Sequence, residues 1–259
     1  MFINNFDPVA ISLFSFEIRW YSLSYIFGIL FGWTYINNRF LKTIEDKKLF
    51  SDYISYLIIG IIIGGRLGYV IIYNFQYYLQ NLKEIIFIWE GGMSFHGGLI
   101  GVIASSLIFS KVKKINCFIY LDLVSLAAPI GIFFGRLSNF VNSELIGKVT
   151  DLPWAVRFIK VDNLTRHPSQ IYEAVLEGVV LFFLLNFVLI KKIDKIGIIS
   201  SYFLIFYSIF RFLSEFTREP DLQIGLIYNL SIGQIISIVT LMFGTILFLL
   251  KNEKNNNFR

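Results

Sequence analysis

The chain has 259 residues, of which 56% are hydrophobic and only 16% charged, with a mean hydropathy of +0.66. A soluble domain would carry nearer a quarter charged residues. Here the apolar excess arrives in blocks of about 20 residues, enough to cross a bilayer, without the period-two alternation of a membrane β-barrel. The net charge of +5 does not point to nucleic acid, because Lys and Arg collect in short loops, as they do where loop charge sets membrane orientation. The single cysteine, Cys117, excludes an intrachain disulfide.

The opening MFINNFDPVAISLFSFEIRW has neither a basic start nor a small-residue cleavage site, so the first span is expected to be retained. Spans are predicted near 19–37, 52–73, 93–110, 118–137, 171–190, 197–216 and 228–250. This describes an all-α integral membrane protein of seven transmembrane helices in one polytopic domain. Between the fourth and fifth spans, 148–170 is expected to lie on the outer interface, with Trp154 and Phe158 among the headgroups.

Orientation follows from the loops. Arg39, Lys42, Lys47 and Lys48 follow the first span, Lys111, Lys113 and Lys114 the third, and Lys191, Lys192 and Lys195 the fifth. Lys251, Lys254 and Arg259 lie in the tail. With seven alternating helices all of these fall on one side, which is then cytoplasmic, and the N-terminus is outside. Lys148, Arg157, Lys160 and Arg166 run against the rule.

On this topology the unusual residues share a depth. Tyr21, His96 and HPSQIYE (167–173) open odd-numbered spans, while Arg66, Arg136, Arg211 and Glu215 fall late in even-numbered ones. All lie in the outer half of the membrane, and intramembrane charges that converge mark a site. In GRLSNFVNSELIG (135–147), Arg136 and Asn139 share a helix face, and Asn142 and Glu144 are expected beyond the helix end. The plain structural alternative is a polar terminus with Arg136 snorkelling to the headgroups. Tyr207, Arg211 and Glu215 form one stripe at i, i+4, i+8, with Arg218 at its outer end. An internal Arg211–Glu215 pair is the bland reading, and the functional one requires Arg211 to face another anion. In GGMSFHGGLIG, His96 is flanked by glycines and could titrate near neutrality. His167, before Pro168, suits a capping and positioning role. Gly64, Gly65 and Gly68 around Arg66 suit helix packing, with Arg66 directed to a headgroup or a carboxylate. Two histidines without an acidic cluster argue against a metal. Arginines at headgroup depth suit a lipid phosphate.

GRLSNFVNSELIG resembles the signature G-R-x-G-N-F-x-N-x-E-x-x-G of the bacterial prolipoprotein diacylglyceryl transferases. FDPVAI, IRWYSL, GGRLGYVIIYN, WEGGMSFHGGLIGV, RHPSQIYEAVLEGVVLF and FRFLSEFTREPD resemble other blocks of that family, in family order. The resemblance implies a seven-helix enzyme of the bacterial inner membrane with its site on the outer side. It implies transfer of the diacylglyceryl group of phosphatidylglycerol to the lipobox cysteine of a prolipoprotein, release of glycerol 1-phosphate, and no cofactor. Carried over residue by residue, it implies essential roles for His96, Arg136 and Arg211, and substrate-side support from Tyr21, Asn139, Glu144, Gly147, Tyr207 and Glu215. Arg66 adds a further headgroup contact on the residue reading alone. Ser138 departs from the family's glycine, and 148–166 is shorter than is usual in the family. In the chemistry so implied, His96 is the candidate base or, alternatively, a group that orients the headgroup, Arg136 and Arg211 hold the phosphate, and Glu144 and Glu215 fix the arginines. An anionic-lipid transporter or flippase is the alternative, disfavoured because the inner halves of the spans carry almost no charge. A membrane protease lacks its nucleophile–base arrangement.

Overall fold

The computed structural model describes residues 2–13, 16–88, 91–190, 195–220 and 225–253. Lys191, Lys192, Lys254 and Arg259, used above for orientation, lie outside the described residues. The chain divides into two compact units, one of residues 1–36 and 122–259, the other of residues 37–121.

The long helices are α1 (Trp20–Arg39), α2 (Ile44–Ile72), α4 (Phe95–Lys113), α5 (Cys117–Asn142), α6 (Ser169–Leu189), α7 (Ile198–Ser214) and α8 (Ile232–Glu253), with a short α3 (Phe75–Gln80) after α2. Among the described residues, α2, α5, α6 and the stretch Ile232–Asn252 of α8 are long and apolar enough to cross a membrane, and α7 is a shorter apolar helix. α5 runs five residues past the predicted end of its span. Asn142 is therefore its last helical residue rather than part of the following loop, and left-handed Ser143 (φ 59°) and Leu145 (φ 52°) turn the chain away.

The unit 37–121 is organised around the packing of α2 on α4. Gly60, Gly64 and Gly68 of α2 face Gly97, Gly101 and Ser105 of α4 so closely that a Cβ on Gly101 would overlap the Gly60 carbonyl. Small residues four apart let two backbones touch, which is how apolar helices associate when lipid offers no hydrophobic penalty. Beyond the glycines, Tyr53, Phe109 and Tyr120 pack ring against ring, with centroids 5.1–5.3 Å apart. Tyr53 shares a 2.8 Å hydrogen bond with Ser106.

In the other unit, α5, α6 and α7 carry the charged residues described below. Asp122, near the start of α5, accepts from the backbone of Gly197 (2.6 Å) and Ser200 (2.8 Å) and from the Ser200 hydroxyl (2.6 Å). It satisfies N–H groups at the start of α7 that no helical carbonyl can reach. Asn186 of α6 donates to Leu126 O and to Phe182 O, both at 3.0 Å, and accepts from the Tyr35 hydroxyl at 2.8 Å.

Short strands, absent from the all-helical expectation, form where the chain leaves the helices. β1 (Phe2–Asn4) pairs in parallel with β4 (Val156–Phe158), which pairs antiparallel with β5 (Thr165–Arg166). β2 (Val9–Leu13) and β3 (Phe16–Arg19) form a hairpin before α1, and β6 (Leu226–Ile227) and β7 (Leu230–Ser231) one before α8. Of the two aromatics expected on an outer interface, Trp154 is exposed, but Phe158 is fully buried against Phe140 (5.7 Å) and belongs to the core of this sheet. Buried Asn4 donates to Phe140 O (2.6 Å), tying the sheet to the end of α5. The segment after α5 is laced on both sides. Lys148 N reaches Thr217 O, Glu219 N reaches Ile146 O, and His167 N reaches Lys148 O, all at 2.9–3.1 Å. The ends of α5 and α7 and the start of α6 are thereby joined.

Candidate active site

Two carboxylates organise the site. Glu173 and Glu177 lie four apart on α6, so they share one helix face, and both are fully buried. From Ala174 to Val180 the helix is π-wound, a widened turn frequent at functional sites. A buried carboxylate must be paired and hydrogen-bonded, and both are.

Arg136 comes from α5. Its Nη1 stands 2.7 Å from Glu173 Oε2 and its Nη2 2.9 Å from Glu177 Oε2, and its Nε donates to the same Glu177 oxygen at 3.3 Å. Arg211 comes from α7. Its Nη1 lies 3.2 Å from Glu173 Oε1 and 3.9 Å from Glu177 Oε1, and its Nη2 pairs with Glu215 Oε1. Arg218 brings Nη1 to 3.5 Å from Glu215 and 3.9 Å from Glu173. Ser214 donates to Glu177 Oε1 at 3.4 Å. The second oxygen of Glu215 accepts from Ser231 at 2.6 Å. Gly233 at the start of α8 leaves room for that carboxylate, since a Cβ there would stand 2.5 Å from Glu215 Cδ. Three guanidinium cations therefore meet three carboxylates. The arginine side chains keep 14%, 13% and 10% of their surface open, in the order Arg136, Arg211, Arg218, while Glu173 and Glu177 keep none. The arginines are thus the more open partners and the two glutamates the buried ones, an arrangement that suits an entering anion.

The residues singled out in the sequence are distributed as follows. Arg136, Arg211 and Glu215 are in the cluster, and Arg211 has both the Glu215 partner of the bland reading and a second anion, Glu173. Tyr207 lies one turn before Arg211, within electrostatic reach of Glu177, Arg136 and Arg211, and stacks on Phe203 at 5.7 Å. Glu144, expected to fix an arginine, instead accepts from Asn139 (3.1 Å) and Asn142 (3.2 Å) at the end of α5. Its backbone carbonyl receives the Gln170 amide. The helix end needs those polar partners, and Glu144 is outside on the exposed side of the turn. Gly147 has a packing reason: a Cβ there would stand 2.6 Å from the Cβ of His167 and run into its carbonyl. Tyr21 is exposed at the start of α1 and accepts from the Tyr25 hydroxyl at 3.3 Å. Ser138 is buried and donates to Trp20 O (3.2 Å), so its hydroxyl joins α5 to the start of α1 rather than bonding the preceding turn of its own helix.

Arg66 and His96 belong to the unit 37–121. Arg66 is buried, with its guanidinium on the backbone carbonyls of Glu84 (2.7 Å), Ile85 (2.8 Å), Gly91 and Gly92 (3.2 Å), and 5.2 Å from the Tyr78 ring centre. Its partners are peptide oxygens, not a carboxylate. His96 is in the first turn of α4, which Ser94 caps; its side chain lies outside the described residues. Among the described residues there is no group of three His, Cys, Asp or Glu able to hold a metal.

Glu173 entered the sequence reading only as the last residue of HPSQIYE, with no role of its own, and Glu177 not at all, although YEAVLEG shows two carboxylates at i, i+4 inside an apolar span, the spacing that made the arginine stripe visible on α7.

Comparison with known proteins gives a consistent picture. The family model described as prolipoprotein diacylglyceryl transferase matches residues 8–250. A phosphatidylglycerol–prolipoprotein diacylglyceryl transferase of Rickettsia bellii (strain OSU 85-389) is 47% identical over 254 residues, 96% of each chain. The protein of that name from Rickettsia typhi is 45% identical over 260 residues, 98% of this chain and 100% of its own. The one from Rickettsia felis is 44% identical over 256 residues, 96% of this chain and 98% of its own.

Proposed function

The chain belongs to the prolipoprotein diacylglyceryl transferase family, and from that premise we propose that the Arg136–Arg211–Arg218 cluster is where it holds the phosphate of its lipid substrate. The protein is a membrane transferase of lipoprotein biosynthesis: it moves the diacylglyceryl group of phosphatidylglycerol to prolipoproteins. The observation that carries the site assignment is the set of three arginine side chains, each keeping a tenth or more of its surface open, paired with two fully buried carboxylates. Arginine forks match phosphate oxygens with several fixed donors, and cations already in place cost no reorganisation as charge develops.

In the reaction, the thiol sulfur of the prolipoprotein cysteine forms a bond to the glycerol carbon. The bond from that carbon to the phosphate oxygen breaks, and its electron pair leaves with glycerol 1-phosphate. The thiol proton must be removed, since the thiolate is the nucleophile and a free cysteine thiol ionises only near pH 8.5. His96 is the base in this reading, and Arg136 and Arg211 stabilise the leaving phosphate. Tyr207 and Tyr21 assist at its oxygens. Glu215 fixes Arg211 and Arg218, while Asn139, Glu144 and Gly147 shape the end of α5. Arg66 acts by holding the backbone at residues 84–85 and 91–92. The acceptor is a lipobox cysteine at the end of a prolipoprotein signal peptide. The seven long helices cross the cytoplasmic membrane with the N-terminus outside, the basic loops inside and the site on the outer face.

Purified protein, phosphatidylglycerol vesicles and a lipobox peptide test the activity by mass spectrometry. The peptide should gain one diacylglyceryl group at its cysteine, and an unmodified peptide would defeat the reading. In a Cys117→Ser background, Asn5→Cys should react with an impermeant thiol reagent on intact cells and Lys48→Cys should not. The reverse pattern would overturn the orientation.

A further inference from the structure

The charges of the site sum to zero before any substrate arrives. Arg136, Arg211 and Arg218 supply three positive charges, and Glu173, Glu177 and Glu215 three negative ones, joined by seven arginine–glutamate contacts within 4 Å. For a site whose task is only to bind an anion, the two buried glutamates are counterproductive, because each occupies guanidinium donors that phosphate would use. Glu177 does this most directly. One of its oxygens takes both Nε and Nη2 of Arg136, the edge a phosphate would grip with two oxygens.

Phosphatidylglycerol enters as a phosphodiester with one negative charge, and the phosphate leaves as a monoester able to carry two. A bare cluster of three arginines would hold the product more tightly than the substrate, and release would stall. We propose that Glu177 is a built-in competitor of the phosphate: it holds Arg136 when the site is empty, gives way in part to the lipid headgroup, and re-forms its pair to expel glycerol phosphate. Glu173 contributes to the same neutrality, but it bridges all three arginines and its removal would scatter them. Glu177 faces Arg136 and Arg211, with Ser214 as its other hydrogen-bond partner, and can be neutralised with less disturbance. The inference rests on reading the cluster as the phosphate site.

The test is Glu177→Gln, which keeps size and removes charge. Transfer from phosphatidylglycerol to a lipobox peptide gives KM and kcat, and added glycerol 1-phosphate gives a product inhibition constant. Against the unaltered enzyme, the variant should show a lower KM, a lower kcat and an inhibition constant reduced by roughly ten- to a hundred-fold, the size of one charge-assisted hydrogen bond returned to the ligand. A glutamate that only positioned Arg136 would give the opposite sign, with weaker inhibition and a higher KM. Glu177→Asp retains the charge but draws it back from Arg136, and is expected between the two. If Glu177→Gln does not fold, the Asp variant alone decides: tighter inhibition supports the proposal, and unchanged or weaker inhibition overturns it. Loss of transfer by the unaltered enzyme would instead strike the functional reading. Active enzyme with unchanged or weaker product inhibition in the variant would strike only the role of Glu177.

Discussion

Arg136→Ala should be among the most damaging single changes in the protein. Arg136 meets Glu173 at 2.7 Å and Glu177 at 2.9 and 3.3 Å. Without it, among the described residues fully buried Glu177 keeps Arg211 at 3.9 Å and the Ser214 hydroxyl at 3.4 Å as its charged and hydrogen-bonded partners. Removing one partner of a buried pair costs about 3–5 kcal/mol, because the other charge stays buried without compensation. In a chain of this size that corresponds to roughly 6–10 °C in Tm. Arg136→Lys keeps the charge but reaches one carboxylate rather than two, and should lose about 1.5–3 kcal/mol, the value of one charged hydrogen bond. The assay is thermal unfolding of detergent-solubilised protein followed by tryptophan fluorescence. The decisive variant is the double one, Arg136→Ala with Glu177→Gln. It removes the stranded charge along with its partner and should be more stable than the sum of the single effects implies, by at least about 1 kcal/mol, as for residues in one network. Strict additivity, or a Tm for Arg136→Ala within a degree of the original, would refute the argument and return Arg136 to a snorkelling surface cation.

Gly101→Ala places a methyl against the Gly60 backbone, where no side chain can swing aside, and should cost at least about 1–3 kcal/mol, the usual scale of overpacking, read as reduced Tm and reduced yield of inserted protein. Ser138→Gly loses the 3.2 Å bond to Trp20 O and should cost about 0.5–1.5 kcal/mol with transfer largely kept; abolished transfer would show the hydroxyl to be part of the site. Arg166, donating to Asp162 at 2.6 and 3.1 Å, holds that carboxyl below its usual range. A lowered folded value stabilises above the unfolded value of about 3.9 and is lost as pH falls through the folded one. Proteolysis around 150–166 should therefore increase below about pH 4 in the original protein and lose that pH dependence in Asp162→Asn.

Much of this was readable from residue order, and the unreadable part has a pattern. Arg211 and Glu215 announce themselves because charges in an apolar span recur with the helical period, and Arg136 because it stands in a long specific signature. The predicted 197–216 and observed Ile198–Ser214 nearly coincide because apolar length decides a helix in lipid. Glu173 and Glu177 carried the same periodic signal, but Glu173 was read only as the end of the HPSQIYE stretch and Glu177 only as part of an apolar span, so their pairing was missed. Arg66 could not be placed, because its partners are peptide carbonyls and every residue has one. Glu144 went to two asparagines instead of an arginine because left-handed turns at Ser143 and Leu145 redirect the chain, and such turns are not written in side-chain chemistry. The strand at 2–4 pairs with 156–158, far away in sequence, and each strand of that sheet is only two or three residues long, so their short runs gave no local signal.

Asp122 joins α5 to the first turn of α7 at one end, and the arginine–glutamate cluster joins the same helices at the other, by way of α6. Fourteen residues of α5 separate Asp122 from Arg136, a span of about 21 Å at helical rise. Two ties so far apart make α5 and α7 the uprights of a braced frame, in which neither helix can slide or pivot without breaking a joint. A bilayer that thickens, thins or cools then presses on a frame whose arginine–glutamate end stays in register. If the proposed lipid site is right, the two ties predict that α5 and α7 keep their spacing when the substrate is bound.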